Sequence, residues 1–205
     1  GIRTVRLTGG EPLLRPGLID VVRRLAGLPQ VTQLAMSTNG VLLRRHAQAL
    51  KRAGLHRVNV SLDTLIRERF AAITGTDCWQ EVVDGILAAQ AAGLVPVKVN
   101  MVLMKDINDD EILNMVDFAA AHALELRFIE WMPTSASVNA ERENRFFSND
   151  EAQARIARHY RLTADDVDIH APARTFRVEG TRAHVGFISP LSRLFCAMCN
   201  RVRLK

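Results

Sequence analysis

The sequence predicts an α/β protein of parallel βα units, closed as a partial barrel or laid out as an open doubly wound sheet. Three observations carry this. Over residues 1–132, short strand-like stretches alternate with helix-like ones at close spacing. Two of the strands run straight into turn residues, Gly9-Gly10-Glu11-Pro12 and Thr38-Asn39-Gly40, where α/β folds build ligand sites. Within the strands apolar and polar residues alternate, so one side can take helices and the other faces elsewhere.

The first strand covers Thr4-Val5-Arg6-Leu7-Thr8. Gly9 and Gly10 free the backbone and let a ligand approach the main chain, and Pro12 stops the strand. The same stretch also suits an ordinary βα turn. A helix over 17–26 follows, with Leu18, Val21, Val22 and Leu25 on its sheet side; Gly27 and Pro29 end it. Strand 32–37 leads into Thr38-Asn39-Gly40, and helix 42–53 closes at Gly54. Strand 57–61 precedes Leu62-Asp63-Thr64, where Ser61 and Asp63 suit a helix cap. Helix 79–92 ends at Gly93, and strand 95–103 comes next. Asn108 and Glu111 form a cap-like pair opening a helix to about His122. The fifth strand spans 124–131.

Beyond residue 132 the rhythm stops. Residues 133–149 are polar and loop-like, and Ser148 with Glu151 suits the start of a helix to His159. A hairpin is expected from 175–178 and 184–188 around Glu179-Gly180. The expected organisation is a partial-barrel core over 1–132 and an extension over 133–205.

The polar sides of the strands form a pattern. One side reads Val5/Leu7, Val58/Val60, Val97/Val99/Met101 and Leu126/Phe128. The other reads Thr4/Arg6/Thr8, Gln33/Ala35/Ser37, Asn59/Ser61/Asp63, Lys98/Asn100 and Glu125/Arg127. A packed barrel fills its interior with branched apolar side chains. Burying Arg6, Lys98 and Arg127 without partners would cost several kcal/mol per charge. Glu125 offsets part of that. The pattern therefore points to an interior that is wet or holds an anion, most simply a phosphate-bearing one. An open sheet with one solvated side is the competing reading.

Composition narrows the class. Hydrophobic residues make up 48% and aromatics 5%, so the core is aliphatic. No run of about 18 apolar residues and no signal-peptide pattern occurs, which predicts a cytoplasmic protein without a membrane span. Three cysteines do not make a disulfide framework. Net charge is +5, and only four of the 27 basic residues are lysines, which singles out Lys98 inside a strand. Near the end, Cys196 and Cys199 stand three apart, a spacing that suits two ligands of one metal or a redox pair. Arg201 and Arg203 follow them. Cys78 is isolated and reads as a small core residue. His46, His56, His122, His159, His170 and His184 have no ligand spacing and read as surface or loop residues.

Together these stretches resemble the GTP 3′,8-cyclases, radical S-adenosylmethionine (SAM) enzymes of molybdenum cofactor biosynthesis. The resemblance rests on Arg6-Leu7-Thr8-Gly9-Gly10-Glu11-Pro12, Ser37-Thr38-Asn39-Gly40, Asn59-Val60-Ser61-Leu62-Asp63, Val97-Lys98-Val99-Asn100, residues 127–133 and Phe195-Cys196 through Cys199-Asn200-Arg201-Val202-Arg203. It implies an incomplete (β/α)6 barrel of the radical SAM type with a C-terminal extension containing a hairpin. It implies SAM and two 4Fe–4S clusters as cofactors and GTP as substrate. Gly10, Ser61 and Met132 match SAM contacts. Arg6, Ser37, Lys98, Arg127, Arg201, Val202 and Arg203 match GTP contacts, and Cys196 and Cys199 match two ligands of the second cluster. The next enzyme of the pathway is the implied partner, and self-association as a homodimer is left open. The family's CxxxCxxC motif is expected before residue 1 and a third ligand of the second cluster after residue 205. The chain is therefore expected to be a fragment, inactive alone, and Thr4 stands where some members carry lysine. Another radical SAM enzyme with an auxiliary cluster, such as a peptide-modifying one, is one alternative. A zinc-binding nucleic-acid module is a second, disfavoured because aromatics are not interleaved with the basic tail.

Overall fold

The computed structural model describes residues 1–132, 145–165, 171–193 and 202. The chain forms two compact units, Gly1–Asn100 and Met101–Lys205.

The first unit contains β1 (Thr4–Leu7), a 3₁₀ turn (Pro12–Leu14), α1 (Leu18–Ala26), β2 (Gln33–Thr38), α2 (Leu43–Arg52), β3 (Arg57–Ser61), α3 (Arg67–Thr74), α4 (Trp79–Ala91) and the first half of β4 (Lys98–Leu103). The strands lie in the order β1-β2-β3-β4, all parallel. Partners in a parallel ladder point to the same side, so the register sorts the residues. Val5 aligns with Leu34, Leu7 with Met36 and Val58, and Thr38 with Val60 and Val99. Most of this apolar row is fully buried. Each such aliphatic side chain contributes about 1.5–3 kcal/mol on burial. In α2, Leu43, Ala47 and Leu50 recur at helical spacing and are buried, while the charged residues between them are exposed. Gly85 permits α4 to approach α2, because a Cβ there would meet Gly40 O at 2.5 Å and Leu43 Cβ at 3.1 Å.

Two expectations change in this unit. Strand β4 begins at Lys98 rather than at residue 95, since Pro96 has no N–H to give to a ladder. The sequence reading also missed α3, whose single buried residue, Phe70, leaves no apolar stripe to detect.

The second unit contains the rest of β4, a 3₁₀ turn (Asp109–Glu111), α5 (Ile112–Ala121), β5 (Glu125–Glu130), α6 (Asn149–Ala157), β6 (Leu162–Ala164), β7 (Arg174–Val178) and β8 (His184–Ile188). Its strand order is β4-β5-β8-β7-β6. The expected hairpin is β7–β8, antiparallel, but β8 also pairs in parallel with β5 from Glu125↔His184 to Ile129↔Ile188. Phe187 on β8 stacks on Phe128 at 5.9 Å and meets Phe176 edge-on at 5.8 Å. The Ser148 cap forms as expected, its Oγ accepting from Glu151 N at 3.1 Å. The Asn108–Glu111 box does not form. Asn108 Oδ1 accepts from Met104 N (2.8 Å) and its Nδ2 donates to Val102 O (2.9 Å), because this buried side chain ties down the loop after β4. No helix of the described residues is long and apolar enough to cross a membrane.

Candidate functional site

At the C-terminal ends of β1, β2 and β3 the first unit holds a cleft of about 330 Å³. Its walls are Thr8 to Glu11 from the first turn, Ser37 to Asn39 from the second, and Ser61 from the third. Gly9 has φ +138°, a conformation that favours glycine, and a Cβ on Gly9 or Gly10 would meet nothing within 4 Å. The main chain there is thus open to a bound molecule. Gly40 has φ +86°, and a Cβ on it would sit 2.7 Å from Val60 Cγ1, so the second turn packs directly on β3.

Glu11 does not point outward as a lone acceptor. Its Oε1 accepts from Thr38 Oγ1 (2.7 Å) and Leu13 N (3.0 Å), and its Oε2 accepts from Asn39 N (2.7 Å). Thr38 Oγ1 in turn accepts from Gly40 N (3.1 Å), and Asn39 Oδ1 accepts from Val41 N (3.1 Å).

Below the cleft lies the polar side of the sheet. The register places Arg6, Ala35 and Arg57 at one level, Ser37, Asn59 and Lys98 at the next, and Ser61 with Asn100 above them. Arg6 is exposed and Lys98 half-buried. Both belong to one side of one sheet, an arrangement common to the polar-interior and the open-sheet readings. Of the expected site residues, Gly10, Ser37 and Ser61 line the cleft, and Arg6 and Lys98 share the side beneath it. Arg57 was overlooked, although its alternation with Asn59 and Ser61 placed it on the polar side. Its Nη1 donates to Gln33 Oε1 at 2.7 Å. Asn59 is 2% exposed, and its buried Oδ1 has no hydrogen-bond donor among the described residues; the same holds for Asn100 Oδ1.

In the second unit, Arg127 and Glu125 are each 8% exposed. Arg127 Nε and Nη2 both reach Glu125 Oε1, at 2.7 and 2.6 Å. This pair offsets the cost of burying Arg127 inside the protein. Gly186 is the ladder partner of Arg127, and a Cβ there would make ordinary contact with Arg127 Cγ at 3.4 Å. Met132 is 49% exposed and Val202 84% exposed. Cys196, Cys199, Arg201 and Arg203 lie outside the described residues. Cys78 is half-buried at the start of α4. Among the described residues no three His, Cys, Asp or Glu side chains converge as metal ligands. His56 has a structural role, its Nδ1 accepting from Leu34 N at 3.0 Å.

A family model described as the radical SAM superfamily matches residues 1–119. The chain belongs to the radical SAM superfamily. A second model, for the C-terminal region of molybdenum cofactor synthesis proteins, matches residues 124–205. Curated relatives named GTP 3′,8-cyclase align along the whole chain. One from Ectopseudomonas mendocina is 45% identical, one of two from Pseudomonas aeruginosa 49%, and one from Streptomyces coelicolor 47%. The chain spans 60–62% of the length of these three. Among solved structures, a domain of a pyruvate-formate lyase-activating enzyme from Bacteroides vulgatus covers 77% of this chain and 92% of its own, with TM-score 0.60 at 18% identity. Streptococcus suis SuiB bound to SAM covers 98% of this chain and 42% of its own, with TM-score 0.61 at 11% identity. These likenesses carry the fold, an α/β fold of the radical SAM type, as the sequence led us to expect.

Membership brings SAM and 4Fe–4S chemistry with it. The cleft suits SAM in kind: an accessible glycine main chain and the Ser61 hydroxyl are polar partners for such a ligand. The described residues supply no cluster ligand set.

Proposed function

We propose that this chain carries the greater part of a GTP 3′,8-cyclase, which converts GTP to (8S)-3′,8-cyclo-7,8-dihydroguanosine 5′-triphosphate. The observation that carries the reading is the row of cations on one side of the first sheet, Arg6, Arg57 and Lys98, beneath a glycine-walled cleft. Relatives of that name along the whole chain support it. Bound there and cleaved with one electron from a reduced 4Fe–4S cluster, SAM would supply the radical chemistry at the GTP ribose that links it to the guanine ring.

In this reading Gly10, Ser61 and Met132 hold SAM. Arg6, Ser37 and Lys98 bind GTP, chiefly its phosphates, and Arg57 adds a fourth group. Guanidinium forks and an ammonium suit phosphate oxygens, and Ser37 adds a hydroxyl donor. Arg127, whose guanidinium is engaged by Glu125, is also assigned to GTP. Arg201, Val202 and Arg203 hold the substrate beside a second 4Fe–4S cluster, for which Cys196 and Cys199 are two ligands. Residues 1–132 serve as the catalytic core and 133–205 as the extension. The enzyme works in the cytoplasm, and the next enzyme of molybdenum cofactor biosynthesis takes its product.

Calorimetric titration with GTP and with guanosine tests the reading. GTP is expected to bind much more tightly than guanosine, and Lys98→Ala or Arg57→Ala to weaken GTP about tenfold while leaving guanosine unchanged. Equal affinity for the two ligands in the wild type would sink the phosphate assignment.

A further inference from the structure

We infer that Glu11 is a positioning residue: it fixes the width of the cleft by tying the Gly9-Gly10 turn to the Thr38-Asn39 turn, and is not itself the acceptor for a bound molecule. A carboxylate at the tip of a strand, beside two glycines, looks from the sequence like a group offered to a ligand. The geometry spends it otherwise. Both oxygens are engaged, by Thr38 Oγ1 and Leu13 N on one and by Asn39 N on the other. Two of these three donors come from a turn 27 and 28 residues further along the chain.

The connection continues beyond Glu11. Thr38 Oγ1 receives Gly40 N–H and passes its own hydrogen to Glu11, so one chain of hydrogen bonds runs from Gly40 to the first turn. Asn39 is locked from both sides, its N–H on Glu11 and its Oδ1 on Val41 N. What the cleft shows a ligand is then the glycine main chain and the hydroxyls of Ser37 and Ser61. These lie on separate strand ends, whose spacing Glu11 sets for the first two. Charge-assisted hydrogen bonds in a partly buried site are the stronger class, which suits a brace that must hold two loops.

The inference rests on the reading of this cleft as the SAM site. Its test uses S-adenosylhomocysteine, which is stable, titrated calorimetrically into wild type, Glu11→Gln, Thr38→Val, Thr38→Ser and the Glu11→Gln/Thr38→Val double variant. Glu11→Gln puts an amide N–H against a donor, and Thr38→Val removes the hydroxyl while keeping the shape. Each is expected to weaken binding about tenfold, the double variant by no more than the worse single one, and Thr38→Ser to bind like wild type. If Thr38→Val binds like wild type while Glu11→Gln does not, or if the two losses add, Glu11 acts on the ligand directly and the inference falls. Thermal unfolding accompanies each titration; should Glu11→Gln fail to fold, the Val/Ser pair at Thr38 decides. If wild type does not bind the probe, the SAM reading fails instead. The brace is then judged by amide exchange at Leu13 and Asn39, which must accelerate in Thr38→Val and otherwise overturns it.

Discussion

At the scale of single residues, the site depends on backbone as much as on side chains. Gly40 shows this most directly. Its left-handed φ and the 2.7 Å approach to Val60 Cγ1 leave no room for a methyl group. Gly40→Ala is expected to cost roughly 2–4 kcal/mol through combined strain and overpacking, read as a lower midpoint in chemical denaturation. Gly10→Ala contrasts with it, since open space surrounds that position. It should leave stability unchanged within about 0.5 kcal/mol while weakening S-adenosylhomocysteine binding, because the methyl enters the cleft. Glycine in sequence reveals permission; only the neighbours reveal whether it serves packing or binding.

Elements differ in how they are held. Helix α6 is a local construction: Ser148 caps it, and Ser148→Ala should cost about 1 kcal/mol in unfolding free energy. The sequence displayed that cap in the Ser148–Glu151 spacing, and the structure has it. It displayed the same spacing at Asn108–Glu111, where burial diverts the amide to the loop backbone instead. Helix α3 is held partly by an exposed clasp in which Arg67 Nε and Nη2 meet the two oxygens of Asp77 at 2.8 and 2.9 Å. The hydrogen bond from Arg67 holds the Asp77 carboxyl below its usual range. With the folded pKa depressed, this contribution is present above the ordinary aspartate pKa of about 3.9 and fades as pH falls through the lower folded value. The unfolding midpoints of wild type and Asp77→Asn should therefore converge as the solution is acidified below that range. Strand β8 is the opposite of local. Phe187→Ala should cost about 3–5 kcal/mol, since its ring meets both Phe128 and Phe176.

For the molecule as a whole, charge placement matters more than the net charge of +5. Arg6, Arg57 and Lys98 share one side of the first unit's sheet, and in the second unit Arg127 is paired with Glu125. If the row binds a polyphosphate, GTP affinity should fall steadily with added salt while guanosine affinity stays level, as titrations at several ionic strengths would show.

The amino-acid sequence by itself determined the kind of most elements, α3 and β6 excepted, the alternation of polar and apolar sides, and the glycine turns at the strand ends. These follow from local rules, a period of two or of 3.6 and the φ values that side chains allow. Tertiary structure alone decided that β8 lies beside β5, that Arg57 stands level with Arg6, and that Arg127 is matched by Glu125. It also decided that Glu11 spends its oxygens on a turn distant in the chain. A strand's pattern shows which residues share a side, but register and partner arise only when separate segments are brought together, and the hydrogen bonds of the cleft are made at that step.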